Sequence, residues 1–194
     1  MAKKSTRNTR GRIVSAAWKL FYEQGYEDTT VEEIIELSGT SKGSFYHYFD
    51  GKDALLSTLS SLFDEKYEEL TGLLTPEMTA MEQLLFLNRE LFHMIEDSIS
   101  LDLLARLYST QLTTNGEKHL LDHNRIYYKL LRKIIAKGQS EGQLSSRSNV
   151  NEMVKLYGLC VLAVVYVWCL CAGVYALTEY SAKVLRVFLS SFLP

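Results

Sequence analysis

The sequence predicts an all-α fold: a three-helix head of about 50 residues, then a bundle of five or six longer helices. Three observations predict it. Apolar residues recur at three- and four-residue spacing along most of the chain. Runs rich in Val, Ile and Thr that alternate with polar residues between turn pairs are absent, so no sheet is expected. Helix caps and glycines punctuate the periodic segments where helices should start and stop.

The first element places Ile13, Ala16, Ala17, Leu20 and Phe21 on one helical face, and Gly25 follows as a stop. Thr30-Val31-Glu32-Glu33 reads as a capping box, with Thr30 as N-cap and Glu33 reaching back. The helix it opens turns Val31, Ile34 and Ile35 inward and ends at Gly39. Thr40 or Ser41 caps a third helix whose inward pair is Phe45 and Phe49. Asp50-Gly51-Lys52-Asp53 then breaks the pattern, and a longer amphipathic helix runs to about Leu74.

Thr75-Pro76-Glu77 reads as the next start, with proline in the first turn and an acid beside it. Further helices are expected at about 76–98, 100–113, 117–138, 149–177 and 179–192. Thr113-Thr114-Asn115-Gly116 and Gly138-Gln139-Ser140-Glu141-Gly142 mark breaks. The domain boundary is expected between residues 52 and 53, giving a head, 1–52, and a body, 53–194.

Composition is globular, with 47% hydrophobic and 23% charged residues, which excludes disordered and low-complexity designs. The net charge of −2 conceals a segregation. Residues 1–22 hold Lys3, Lys4, Arg7, Arg10, Arg12 and Lys19 and no acid, so the remainder carries 15 basic against 23 acidic residues. A basic arm on an acidic body fits contact with a polyanion. Cys160, Cys169 and Cys171 lie in one apolar stretch, an odd count that fits reduced thiols in a cytoplasmic protein better than a disulfide framework.

That stretch, Leu156 to Leu177, holds 22 residues without a charge and is long enough to cross a membrane. It is solitary, has only Lys155 nearby as a basic flank, and precedes an amphipathic segment. A central or interface helix of a soluble bundle is therefore expected, and no membrane.

Two short helices joined by a turn at Gly39, with a supporting helix in front, form helix-turn-helix grammar. With Phe45 and Phe49 inward, a helical wheel turns Gly43 and His47 directly outward and puts Ser44 and Tyr46 on the flanks. The outer face reads Lys42, Gly43, Ser44, Tyr46, His47, without an acid. A glycine within a helix is unfavourable by about 1 kcal/mol relative to alanine. At an outermost position core packing does not account for it, and close approach of another molecule does.

These residues carry a resemblance. Residues 6–55 closely resemble the DNA-binding head of the tetracycline-repressor (TetR) family of bacterial transcription regulators. The matching elements are IVSAAWKLFYEQGY, Thr29-Thr30-Val31-x-x-Ile34, Gly39-Thr40-Ser41-Lys42-Gly43-x-Phe45-Tyr46-x-Tyr48-Phe49 and Lys52-Asp53-x-Leu55. The resemblance implies phosphate contacts at Thr30 and Lys52, with Thr29 a lesser candidate. It implies recognition-helix roles for Thr40, Ser41, Lys42, Gly43, Tyr46 and His47, and a sugar-phosphate contact at Tyr48. It further implies double-stranded operator DNA as partner, a homodimer through the helices at about 149–177 and 179–192, and a small-molecule effector within the body.

Pocket walls are expected to include Phe86, Met94, Leu104, Tyr108, Tyr127 and Trp168, which fits a hydrophobic or aromatic effector. His119 and His123 stand at i, i+4, a metal-ligand spacing, but lack the glutamate of a zinc-hydrolase motif, and no metal or cofactor is expected. No nucleophile motif, P-loop or dinucleotide fingerprint is present, so an enzyme is not expected. The expected function is a ligand-responsive DNA-binding transcriptional regulator, a repressor released from a palindromic operator. The alternative is a helical small-molecule-binding protein without specific DNA binding.

Overall fold

The structure, a computed structural model, describes the backbone of residues 2–113 and 118–194 and the side chains from residue 9 onward in those ranges. The described residues form ten α-helices, one short 3-10 turn and no strand. Lys3, Lys4 and Arg7 of the basic arm, and Thr114 to Gly116 of the predicted break, lie outside the described side chains.

The head comprises α1 (Ala2–Glu23), α2 (Val31–Ser38) and α3 (Lys42–Tyr48). Its core is the inward set read from the sequence: Ile13, Ala17, Ile34 and Phe45 are wholly buried, with Phe21 and Phe49 nearly so. The Thr30–Glu33 capping box forms in both directions, and its hydrogen bonds from the Thr30 backbone N–H and hydroxyl hold the Glu33 carboxyl below its ordinary range. Gly39 closes α2 in the left-handed conformation, φ 59°. The guanidinium of Arg12 donates to the carbonyls of Ser38 and Gly39, the latter at 2.6 Å. Arg12, though exposed, thus caps the C-terminal end of α2. Its Nη2 would also lie 2.9 Å from any Cβ built at position 39.

Two further helices join head to body, α4 (Lys52–Leu56) and α5 (Leu59–Thr71), where a single helix was expected. Ser57, Thr58 and Ser60 explain the break. Each hydroxyl donates to the carbonyl three residues back, at 2.7, 2.5 and 2.7 Å, and pulls the backbone out of regular α geometry. Thr58 Oγ1 also accepts from Trp18 Nε1 at 2.8 Å, tying the kink to α1.

The body continues with α6 (Ala80–Ser98), α7 (Leu101–Thr113), α8 (Ile126–Ser140), α9 (Val150–Leu170) and α10 (Leu177–Ser190). Three predicted limits are corrected. The α6 helix starts after a capping box of Thr79 and Glu82, not at Pro76, because residues 75–78 close a turn in which the Met78 N–H donates to the Thr75 carbonyl. The α8 helix starts at Ile126, not near 117: a 3-10 turn, His119–Leu121, comes first, and Asp122 then accepts from the Asn124 N–H at 2.8 Å. The α9 helix ends at Leu170, not 177, where Ala172 and Gly173 turn left-handed and Trp168 Nε1 pins the loop by donating to the Tyr175 carbonyl.

The α6 helix lies at the centre of the body, against α5, α8 and α10. Tyr157 of α9, wholly buried, donates to the Leu84 carbonyl of α6 at 3.0 Å and accepts from the Asn88 amide. Glu96 of α6 caps α10 by accepting from the N–H groups of Leu177 and Thr178. The α9 helix, expected as a central or interface helix, is covered by its own chain on one side only. Only one face packs on α7, α8 and α10, while Leu156, Leu159, Ala163, Tyr166, Val167 and Leu170 form an exposed apolar stripe.

Candidate functional site

The recognition helix is built as its spacing predicts. Ser41 is its N-cap, accepting from the Ser44 N–H at 3.1 Å, which resolves the choice between Thr40 and Ser41. Thr40 instead shares a hydrogen bond of 2.8 Å with Ser38. Phe45 and Phe49 hold the helix on the core, so Lys42, Gly43, Tyr46 and His47 emerge exposed on its far side. Tyr48 is half-buried, and its ring packs edge-on against His47 at 4.8 Å. A Cβ placed on Gly43 would meet nothing nearer than the Ser41 hydroxyl at 4.0 Å. Packing within the chain therefore gives no reason for glycine at 43. The helix itself carries no acid, but Glu32 of α2 reaches Lys42 at 3.6 Å, an exposed and therefore weak pair.

Three implied phosphate contacts sit differently. Lys52 donates to the carbonyls of Tyr26, Glu27 and Thr29 at 2.7, 3.0 and 3.0 Å, so its three ammonium protons are spent on the loop before α2. Thr29 is wholly buried and donates to the Gly25 carbonyl. Thr30 is exposed, yet its hydroxyl is engaged with Glu33 on both its donor and acceptor sides. In the chain by itself these three residues are thus engaged with the head's own groups, and α3 presents further donors outward between residues 41 and 47.

A second feature lies in the body, a cavity of about 50 Å³ lined by residues of α5 to α9. Of the six expected wall residues, Leu104, Tyr108 and Tyr127 do line it. Phe86 lines a separate, open groove of about 500 Å³ between α6 and α10, where Arg89 lies over its ring. Met94 and Trp168 line neither. Sequence spacing did not bring out Phe63, Tyr67, Arg125, Val161 or Val165, which line it together with Leu91, Phe92, Ile95, Leu120 and Leu162. Tyr67 and Tyr127 stack with ring centroids 4.9 Å apart. Burial pushes the Tyr127 phenol well above its ordinary pKa, so it stays protonated. Arg125 is paired with Asp64 through two hydrogen bonds of 3.1 and 3.0 Å and donates to the Ser60 carbonyl at 2.9 Å.

Head and body meet at α7. Arg106 bridges Asp102 on its own helix, at 2.8 Å, and Glu27 of the head, at 2.6 Å. Its guanidinium also lies 4.9 Å from the Tyr26 ring centroid, which Lys52 approaches at 4.4 Å. The same α7 helix supplies Leu104 and Tyr108 to the cavity, so one rigid element touches both the head and the cavity wall.

His119 and His123 do not share a helical face. His119 opens the 3-10 turn, and His123 lies in the following loop with its ring 4.4 Å from that of Tyr128. Among the described residues no group of three or more His, Cys, Asp or Glu is placed to hold a metal ion. Cys160 and Cys169 are half-buried and burial raises both thiols, Cys169 to about 11, whereas Cys171 is exposed just beyond α9.

A helix-turn-helix head with an outward donor face, carried on a helical body, defines the class: a helix-turn-helix protein of the all-helical type. Residues 13–59 match the family described as bacterial regulatory proteins, tetR family. The transcriptional regulator TtgR of Pseudomonas putida is 34% identical over 68 residues, 35% of this chain and 32% of that protein. QacR of Staphylococcus aureus is 36% identical over 62 residues, 32% and 33% of the two chains. The matched part thus spans about a third of the length of these relatives. Over whole chains the structure superposes on FadR of Thermus thermophilus, a repressor solved with lauroyl-CoA, with a TM-score of 0.76, 26% identity and 95% of each chain covered. RolR, solved with resorcinol, shares the fold, with a TM-score of 0.70, 19% identity and 95% and 89% covered. Residues 13–59 thus carry the tetR-family head, and the whole chain shares the fold of a tetR-family repressor.

Proposed function

We propose that the protein is a cytoplasmic, ligand-responsive transcriptional regulator, a repressor that binds a palindromic DNA operator as a homodimer through residues 40–48. The observation that carries this is the outward face of α3, where Gly43 has open space beyond it and Lys42, Tyr46 and His47 stand exposed around it. A gap flanked by hydrogen-bond donors suits a helix pressed into the major groove, its backbone close to the duplex and its side chains at base edges. Of the α3 positions matching the family elements, Lys42, Gly43 and Tyr46 are exposed, while Phe45 is wholly buried and Tyr48 half-buried.

The exposed stripe of α9 supports the homodimer. Leu156, Leu159, Ala163, Val167 and Leu170 follow one helical face for four turns, and Tyr180 and Val187 of α10 are exposed beside it. A second copy would remove this apolar surface from water. Its two recognition helices would have to stand about 34 Å apart to enter successive major grooves. Shared use of α7 by cavity and head gives the effector a route: a ligand that parts the cavity wall moves the helix that holds Glu27 and Tyr26. A ligand preferring a different head separation weakens DNA binding by linkage.

Replacing Tyr46 and His47 together by alanine tests the reading. The variant should remain a folded dimer by sedimentation and circular dichroism, yet lose specific binding to a duplex spanning the DNA upstream of its own reading frame. Unchanged affinity in that assay would remove α3 from the interface.

A further inference from the structure

We propose that the body cavity takes a compact, uncharged aromatic molecule bearing one hydroxyl or carbonyl oxygen, and that this oxygen pairs with the hydroxyl of Tyr127. This rests on the regulator reading, and adds to it the chemical class of the effector.

Three observations converge. The first is an orphan polar group. Tyr127 lines the cavity and is 7% exposed, and its hydroxyl is buried without a hydrogen-bond partner among the described residues. Buried hydroxyls are otherwise nearly always paired, so a protonated phenol held in an apolar wall is matched to a partner from outside the chain. It can donate one hydrogen bond to a carbonyl, or accept one from a hydroxyl.

The second is the shape and lining of the space. Phe63, Tyr67, Phe92, Tyr108 and Tyr127 bring five rings to one cavity of about 50 Å³, with aliphatic side chains filling the remainder of the apolar wall. Rings favour offset or edge-on contact with another ring. At about 50 Å³ the space is smaller than the roughly 150 Å³ that holds a benzene ring, so one small ring enters only as the wall parts, and a long acyl chain would need far more room.

The third concerns charge. The cation in the wall, Arg125, already faces a carboxylate: Asp64 takes two of its hydrogen bonds, and both side chains are largely buried, at 11% and 16% exposure. An anionic ligand would have to displace Asp64 from a poorly solvated pair, leaving one carboxylate uncompensated. A neutral ligand leaves the pair intact.

The test is isothermal titration calorimetry of the full chain, without DNA, against phenol, acetophenone, benzoate and lauroyl-CoA. Phenol and acetophenone should bind, and benzoate should bind at least about tenfold more weakly. Tyr127→Phe keeps the ring and its stacking, so it should keep the fold while weakening phenol about tenfold. Leu104→Trp, which fills the cavity, should abolish phenol binding. The proposal is overturned by benzoate binding as tightly as phenol, by phenol affinity unchanged in Tyr127→Phe or Leu104→Trp, or by binding of lauroyl-CoA alone. Phenol binding together with absent promoter binding would fail the regulator reading and leave this site standing. Promoter binding without phenol binding would fail the site alone.

Discussion

The head and the body treat their polar groups in opposite ways. In the head, groups near the recognition helix are committed inward. Arg12 caps α2, Lys52 fills three carbonyls, Thr30 and Glu33 satisfy each other, and Ser41 caps α3. On α3 itself a small donor-rich face around Gly43 stays outward. In the body, a phenol hydroxyl is buried without a partner among the described residues, beside a paired arginine in a ring-lined cavity. The head is organised as a rigid platform presenting its chemistry outward. The body keeps chemistry inside, where only a molecule small enough to enter can meet it. Rigid presentation suits reading a fixed duplex, and an internal unmet group suits sensing a solute.

Substitutions can break that comparison at graded strength. The largest stability loss is expected at the centre of the platform. Phe45→Ala removes a wholly buried ring and should destabilise the head by about 3–5 kcal/mol, read by chemical denaturation. Next comes the double replacement of Tyr46 and His47, which should lower specific DNA affinity by about 100-fold while leaving the denaturation midpoint within error, since base-edge contacts contribute roughly 1–3 kcal/mol each. Gly39→Ala forces a side chain onto a left-handed residue beside Arg12 and should lower stability by about 1–2 kcal/mol. A thermal melt that did not move would mean that Arg12 yields freely.

The smallest effect is expected in the body. Thr79→Ala removes the cap of α6 and should lose about 1 kcal/mol near neutral pH. The backbone N–H and hydroxyl of Thr79 hold the Glu82 carboxyl below its ordinary value, so this contribution is complete above the unfolded carboxylate pKa, ~4.3, and disappears as pH falls through the lower folded value. The difference between wild type and variant should therefore shrink on acidification below about pH 4. A gap that widened in acid would contradict the capping assignment.

Much of this organisation is legible in the sequence where a local rule governs. The capping box at Thr30, the left-handed stop at Gly39 and the inward pair Phe45 and Phe49 each follow from short-range chemistry, and the outward face of α3 follows from them. The break at Ser57-Thr58 was also local, written in back-bonding hydroxyls, and helical periodicity ran over it. The start of α6 likewise shows in Thr79-x-x-Glu82, which Pro76 outcompeted as a signal. Other features are not local. The engagement of Lys52 within the head is not legible in the sequence because its three carbonyl partners lie 23 to 26 residues away. The cavity draws Tyr67, Tyr108, Tyr127 and Val161 from four helices, so no single periodicity marks it, and Phe86 and Trp168 share its composition without sharing its place.

The most direct test of a platform that reads DNA by close approach is Gly43→Ala, followed by both thermal melting and promoter titration with a scrambled duplex as control. Open space around position 43 predicts a gain of about 1 kcal/mol in stability, because alanine is the better helix former and meets nothing. The same methyl group predicts a loss of at least about tenfold in specific affinity, because it stands between backbone and duplex. A more stable protein that binds its promoter less well is the predicted result. A variant that binds as tightly as wild type, or that melts earlier, would contradict the account.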